Sequence, residues 1–121
     1  QMQQIFLVAP TTSDSRKQFI CRQAAGFIYY VALKGVTGSA DLNPAVVNQE
    51  IKALKQYSDL PIAIGFGVKD AASAVAVAEQ ADAVVIGSAL IQVLADCETT
   101  EQAQKKAADF MRPIRSALDS L

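Results

Sequence analysis

Three observations predict an α/β fold with a parallel sheet. Four short runs are apolar almost throughout and rich in Val, Ile and aromatic residues: IFLVAP (5–10), FIYYVAL (27–33), PIAIGFG (61–67) and AVVIGS (83–88). None alternates between polar and apolar, as expected of strands buried on both faces of a parallel sheet. Segments with helical spacing separate them, so the order reads β-α-β-α-β-α-β, then a short helix and a long one. That alternation implies helical crossovers of one hand. A weak repeat of about 25 to 30 residues matches the size of one βα module.

The helices follow from their caps and stripes. Residues 13–25 open on Ser13 and Asp14, good N-cap types, and carry Phe19 and Ile20 on one face. Residues 43–57 open on Asn43-Pro44, a cap followed by proline at the first helical position. Val47, Ile51 and Leu54 then recur at helical spacing. Residues 70–80 start at Asp70 and are alanine-rich, which suits close packing. ALIQVLA (89–95) forms a short extra helix directly after the fourth strand. Residues 100–120 place Ala103, Ala107, Phe110, Met111, Ile114 and Leu118 on one stripe, within which Pro113 should kink or split the helix.

Composition bounds the function. The 121 residues fit a single domain, and 51% of them are hydrophobic, enough for a core. Eleven basic residues nearly balance twelve acidic ones, so no cationic field exists to hold nucleic acid or an anionic membrane. No apolar run is long enough to cross a bilayer. The chain lacks histidine, which removes any His-based triad, and Cys21 and Cys97 lack metal-ligand spacing. Neither a metal nor a cofactor is expected. Two reduced thiols suit a cytoplasmic protein.

Glycine placement then selects the architecture. A doubly wound dinucleotide fold would carry G-x-G-x-x-G after its first strand. Here the first strand ends VAPTTSD, and the glycines follow the later strands as KGVTGS, GFGVKD and IGSAL. In (β/α)8 barrels a phosphate often binds between the loops after the last two strands and the start of a short extra helix. The last two strands here end in Gly65-Phe66-Gly67 and Gly87-Ser88, with the extra helix next. Glycine admits backbone N–H groups close to an anion, and a helix start offers unpaired donors. Ser88 can cap that helix or donate its hydroxyl to a phosphate oxygen. Taken singly, each glycine pair also fits a barrel corner, close packing or an ordinary turn. In KGVTGS (34–39), Gly35 and Gly38 suit hinges and Thr37 a polar contact, though a plain surface loop fits equally.

Tyr29 and Tyr30 must point to opposite sides of their strand, one towards the helices and one towards the barrel interior. The carboxylates yield no acid–base pair. Asp14, Asp41, Asp70 and Glu101 read as caps or first-turn acids, Asp59 as a loop residue, Asp82 as a residue before a strand, and Glu50 and Glu79 as helix-surface groups.

The segments IFLVAPTTSDSRKQFI, GFIYYVALKGVTGSA, PIAIGFGVKDAASA and ADAVVIGSALI resemble, in order and across the whole chain, the alpha subunit of tryptophan synthase. The Tyr-Tyr strand running into Gly-Val-Thr-Gly is the most specific part. The resemblance implies a (β/α)8 TIM barrel that cleaves indole-3-glycerol phosphate to indole and glyceraldehyde 3-phosphate, without cofactor. It implies a beta subunit as partner in an alpha2beta2 assembly, receiving indole through a tunnel. By similarity, the backbone around Gly38, Gly67, Gly87 and Ser88 would hold the substrate phosphate. Tyr29 and Phe66 would line the pocket, and Thr37, in the mobile loop with Gly35, would help order the catalytic aspartate. The four strands correspond to the fifth to eighth of that barrel. The family's catalytic glutamate and aspartate lie on and after its second strand, upstream of Gln1.

The expectation is therefore a C-terminal half-barrel, residues 1–121, opening as if cut at Gln1 and inactive alone. It should self-associate through its bare strand edges. Two alternatives stay open: a stand-alone phosphate-binding module, and another phosphate-handling barrel lyase or isomerase.

Overall fold

The computed structural model describes residues 2–32, 43–65 and 67–121. Four strands form one parallel sheet in the order β1-β2-β3-β4: β1 (Phe6–Val8), β2 (Ile28–Val31), β3 (Ile62–Gly65) and β4 (Ala83–Val85). Helices α1 (Asp14–Gln23), α2 (Pro44–Leu54) and α3 (Ala71–Ala78) lie between them, and α4 (Ser88–Leu94) and α5 (Thr100–Leu118) follow. The strand order never reverses. Successive crossovers of one hand then put every helix on the same face, which is barrel winding; a doubly wound sheet reverses at a switch point.

Strand alternation divides the sheet into two unlike faces. Val8, Ile28, Tyr30, Ile62 and Ile64 are fully or almost fully buried on the helix-covered face. The helices meet them with Ile20, Cys21, Val47, Ile51, Leu54, Ala74, Val77 and Ile114. The register aligns Leu7, Tyr29, Ala63 and Ala83 across the other face. There Leu7 is 62% exposed and Ala83 is exposed, with Ala63 buried between them. One face is a packed core, and on the other, among the described residues, Leu7 and Ala83 stay exposed at the two outer strands.

Local chemistry sets the helix starts. Asn43 Oδ1 accepts from Ala45 N–H at 3.0 Å, ahead of Pro44. Asp70 and Ser73 form a reciprocal capping box, with Ser73 N–H on Asp70 Oδ1 at 2.8 Å and Asp70 N–H on Ser73 Oγ at 3.1 Å. Thr99 Oγ1 caps α5 through Gln102 N–H at 3.2 Å. Ser13 occupies the N-cap position of α1 without a side-chain capping bond.

Several expectations need correction. Phe19 does not share the buried face with Ile20; it is 50% exposed, with the Arg16 guanidinium 5.5 Å from its ring centroid. Lys17 takes the buried place instead, at 6% exposure, because Glu50 of α2 meets its ammonium at 2.7 Å and Asp14 at 3.4 Å. Glu50 is therefore an interhelical partner rather than a plain surface group. Glu79 likewise reaches Asn48 Nδ2 at 3.3 Å, which also donates to the Ala76 carbonyl at 3.2 Å. Pro113 does not split the last helix, which runs unbroken from Thr100 to Leu118. Its stripe buries Ile114, while Met111 stays 37% exposed.

Asp82 turns out to join three elements. Its Oδ2 accepts from Ile62 N–H at 2.9 Å, its own N–H donates to the Ile62 carbonyl, and Lys55 reaches its Oδ1 at 3.1 Å. Burial opposes the charged form of this carboxyl, but the Ile62 amide and Lys55 outweigh it and hold its pKa below the usual value.

Candidate functional site at the strand ends

Parallel pairing brings the C-terminal ends of all four strands to one edge of the sheet. Gly65 pairs with Val85, so Gly67 and Gly87, each two residues further on, leave neighbouring strands abreast. Gly67 has φ +63°, a backbone state that a side chain would strain, and it is exposed. A Cβ built on either Gly67 or Gly87 would meet nothing within 4 Å. Among the described residues, the two glycines therefore do not serve close packing. They keep backbone open towards solvent.

Gly87 is the N-cap of α4, and its carbonyl accepts from Ile91 N–H at 3.1 Å. Ser88 is the first helical residue, not the cap, and it is exposed. Its hydroxyl is thus not needed to start the helix.

Tyr29 belongs to the open face, and Tyr30, 1% exposed, to the core. The Tyr29 ring leans along the strands towards their C-terminal ends and lies across Gly65. A Cβ on Gly65 would fall 3.0 Å from Tyr29 Cζ and closer still to the hydroxyl. Gly65 therefore has the packing role that its partner Gly67 lacks. The tyrosine hydroxyl, the Gly67 turn and the Gly87-Ser88 turn gather at one corner of the sheet. Gly35, Thr37, Gly38, Asp41 and Phe66 lie outside the described residues.

The neighbouring electrostatics are quiet. Asp70, just past this loop, is kept below its usual pKa by its hydrogen bonds with Ser73. Burial pushes the Cys21 thiol up, so it is no nucleophile. Among the described residues no cluster of metal-ligating side chains occurs, and no helix is long and apolar enough to cross a membrane. A groove of about 320 Å³ runs along the outer edge of β4, between the ends of α3 and α5. Its lining includes neither Gly67, Gly87 nor Ser88, so the groove and the strand-end corner are separate features.

Lys17, Glu50 and Asp82 are the interacting charges that sequence reasoning passed over. Lys17 carried one usable signal: it stands three and four residues before Ile20 and Cys21, on the apolar stripe of α1. Asp82 carried none, because its partners lie 20 and 27 residues away.

Sheet order, one-sided helices and glycine turns at the strand ends define a four-stranded portion of a (β/α)8 barrel. The chain belongs to the tryptophan synthase alpha chain family, whose model matches residues 1–119. It is 45% identical over 117 residues to the tryptophan synthase alpha chain of Xanthomonas campestris, covering 96% of this chain and 43% of that one. A relative from Psychrobacter cryohalolentis is 45% identical over 125 residues, covering 99% and 46%. Among solved structures, the alpha subunit from Legionella pneumophila superposes with TM-score 0.78 at 33% identity, over 99% of this chain and 44% of that one. The Pyrococcus furiosus subunit gives TM-score 0.75 at 28% identity, over 95% and 45%. The chain thus spans less than half the length of the curated relatives it matches.

Proposed function

We propose that this chain is the phosphate-holding half of a barrel lyase of tryptophan biosynthesis. The reaction is the aldol-type cleavage of indole-3-glycerol phosphate to indole and glyceraldehyde 3-phosphate. One observation carries the reading: exposed backbone at Gly67 and at Gly87-Ser88 lies abreast at the strand ends, beside Tyr29 on the open face. Backbone N–H groups there donate to the phosphate oxygens, and the Ser88 hydroxyl, free of capping duty, adds a donor. The α4 helix has seven residues, so its dipole adds only a modest field. Gly38 contributes a further amide from the segment outside the described residues. Tyr29 and Phe66 flank the indole-bearing part of the substrate. The family resemblance assigns Gly35 and Thr37, outside the described residues, to the loop beside the substrate.

This half binds and orients. The acid and base that break the carbon–carbon bond come from the complementary half of a barrel, and a beta subunit takes up the indole. The two free cysteines suit a cytoplasmic setting.

Indole release from indole-3-glycerol phosphate tests the proposal. The chain alone should release none. Mixed with the segment of the Xanthomonas campestris relative that lies outside the match, it should release indole, and Gly87→Asp should raise KM by placing a carboxylate against the phosphate. Release by the chain alone, or a Gly87→Asp mixture with unchanged KM, would overturn it.

A further inference from the structure

Among the described residues, a Cβ on Gly67 would meet nothing within 4 Å, so no side-chain packing fixes this peptide. Its φ of +63° is a state that glycine enters and leaves freely. The direction of the backbone at Gly67 is therefore set by what holds the chain on either side. Upstream, Gly65 is fixed in β3: its carbonyl accepts from Ala32 N–H at 2.9 Å, and it pairs with Val85. Downstream, Val68 is 1% exposed and packed in the core, while Lys69 and Asp70 are exposed.

Those two exposed residues are tied down by one hydroxyl. Ser73 Oγ accepts from Lys69 N–H at 3.1 Å and from Asp70 N–H at 3.1 Å, and it donates to the Asp70 carbonyl at 3.0 Å. A serine hydroxyl has one proton and two lone pairs, so its bonding capacity is fully used. The capping box of α3 needs only the Asp70 amide. The Lys69 bond reaches one residue further back and does nothing for the helix. It fixes the loop that leaves Gly67.

We infer that Ser73 is a positioning residue for the phosphate turn, its hydroxyl holding the Gly67 backbone at the strand-end corner through Lys69 and Asp70. This role rests on the phosphate binding proposed for Gly67. Ser73 acts through the loop rather than by contact with substrate. Val68 pins the inner side of the loop and Ser73 its outer side, so the two bracket the backbone from Gly67 to Asp70. Without the hydroxyl, the Lys69 and Asp70 amides turn to water and the inner anchor remains. Donors held in place before an anion arrives bind it better than donors that must be ordered on binding.

Glycerol 3-phosphate titrated into the nitrogen-15-labelled 121-residue chain tests this. Ser73→Ala should raise Kd by about fivefold, in line with one lost hydrogen bond. It should also shrink the Gly67 amide shift relative to that of Gly87, whereas a general loss of stability would shrink both alike. Circular dichroism should keep the helical signal, since alanine is a good helix former and the amide of residue 73 keeps its bond to Asp70 Oδ1. Ser73→Thr and Ser73→Val share a shape and differ in the hydroxyl. The threonine variant should bind like the unaltered chain and the valine variant like Ser73→Ala, and this pair decides if the alanine variant loses its helical signal. Unchanged Kd in folded Ser73→Ala and Ser73→Val, equal loss at both glycines, or a loss that Ser73→Thr does not restore would overturn the positioning role alone. An unaltered chain whose Gly67 and Gly87 amides do not shift would instead overturn the phosphate reading, and this role with it.

Discussion

Gly65 and Gly67 stand two residues apart and are glycine for different reasons. At Gly65 the Tyr29 ring occupies the place of a side chain, whereas at Gly67 the backbone adopts φ +63° with open space around it. Gly65→Ala should therefore destabilise the chain by about 1–3 kcal/mol through overpacking. Urea unfolding of Gly65→Ala in the Tyr29→Ala background should recover most of that loss. An undiminished cost there would mean that the ring is not the obstacle. The sequence marked both glycines as candidates for close packing or for anion contact without telling them apart. The distinction depends on how far the Tyr29 side chain leans along its strand, and no local pattern encodes that. Ser88 is similar: a serine before a helix reads as a cap, but Gly87 takes the cap position and leaves the hydroxyl unused.

Among the elements, the outer helices are tied by charge as well as by apolar packing. Burial pulls the Lys17 pKa down, and hydrogen bonding and charge from Glu50, then Asp14, carry it above its ordinary value. Burial first, and the Glu50 charge second, push the Tyr30 phenol from 10.0 up to about 12. Both groups keep their protons to higher pH folded than unfolded. Their stabilisation is thus full below about pH 10 and is lost as pH rises from there towards 12. Denaturant midpoints measured between pH 9 and 12 should fall across that window, with Tyr30 contributing about 2–3 kcal/mol. Tyr30→Phe should flatten the fall, and an equally steep profile in that variant would remove the assignment. Much at this scale was legible. Asn43-Pro44, the Val47, Ile51, Leu54 stripe and Asp70 located two helices because each signal is local. Phe19 was misplaced because a buried lysine with a partner 33 residues away displaced it from the core face. Pro113 proved compatible with an unbroken α5, where tertiary packing of Ile114 outweighs one lost backbone bond.

For the whole molecule, four apolar runs and the glycines after the later strands were enough to select barrel winding, and the unreversed strand order agrees. What the chain's own residues could not supply was an acid–base pair, and the relatives are more than twice as long as the stretch it matches. Under the proposed function, this half would hold the substrate by its phosphate, and the complementary half of the barrel would supply the bond-breaking groups. A nitrogen-15 amide titration of the folded chain with millimolar glycerol 3-phosphate tests that division most directly. The amides of Gly67, Gly87 and Ser88 should shift together and saturate, while Gly26, before β2 at the opposite ends of the strands, stays still. Unmoved amides at all three positions, or shifts centred on other residues, would contradict it.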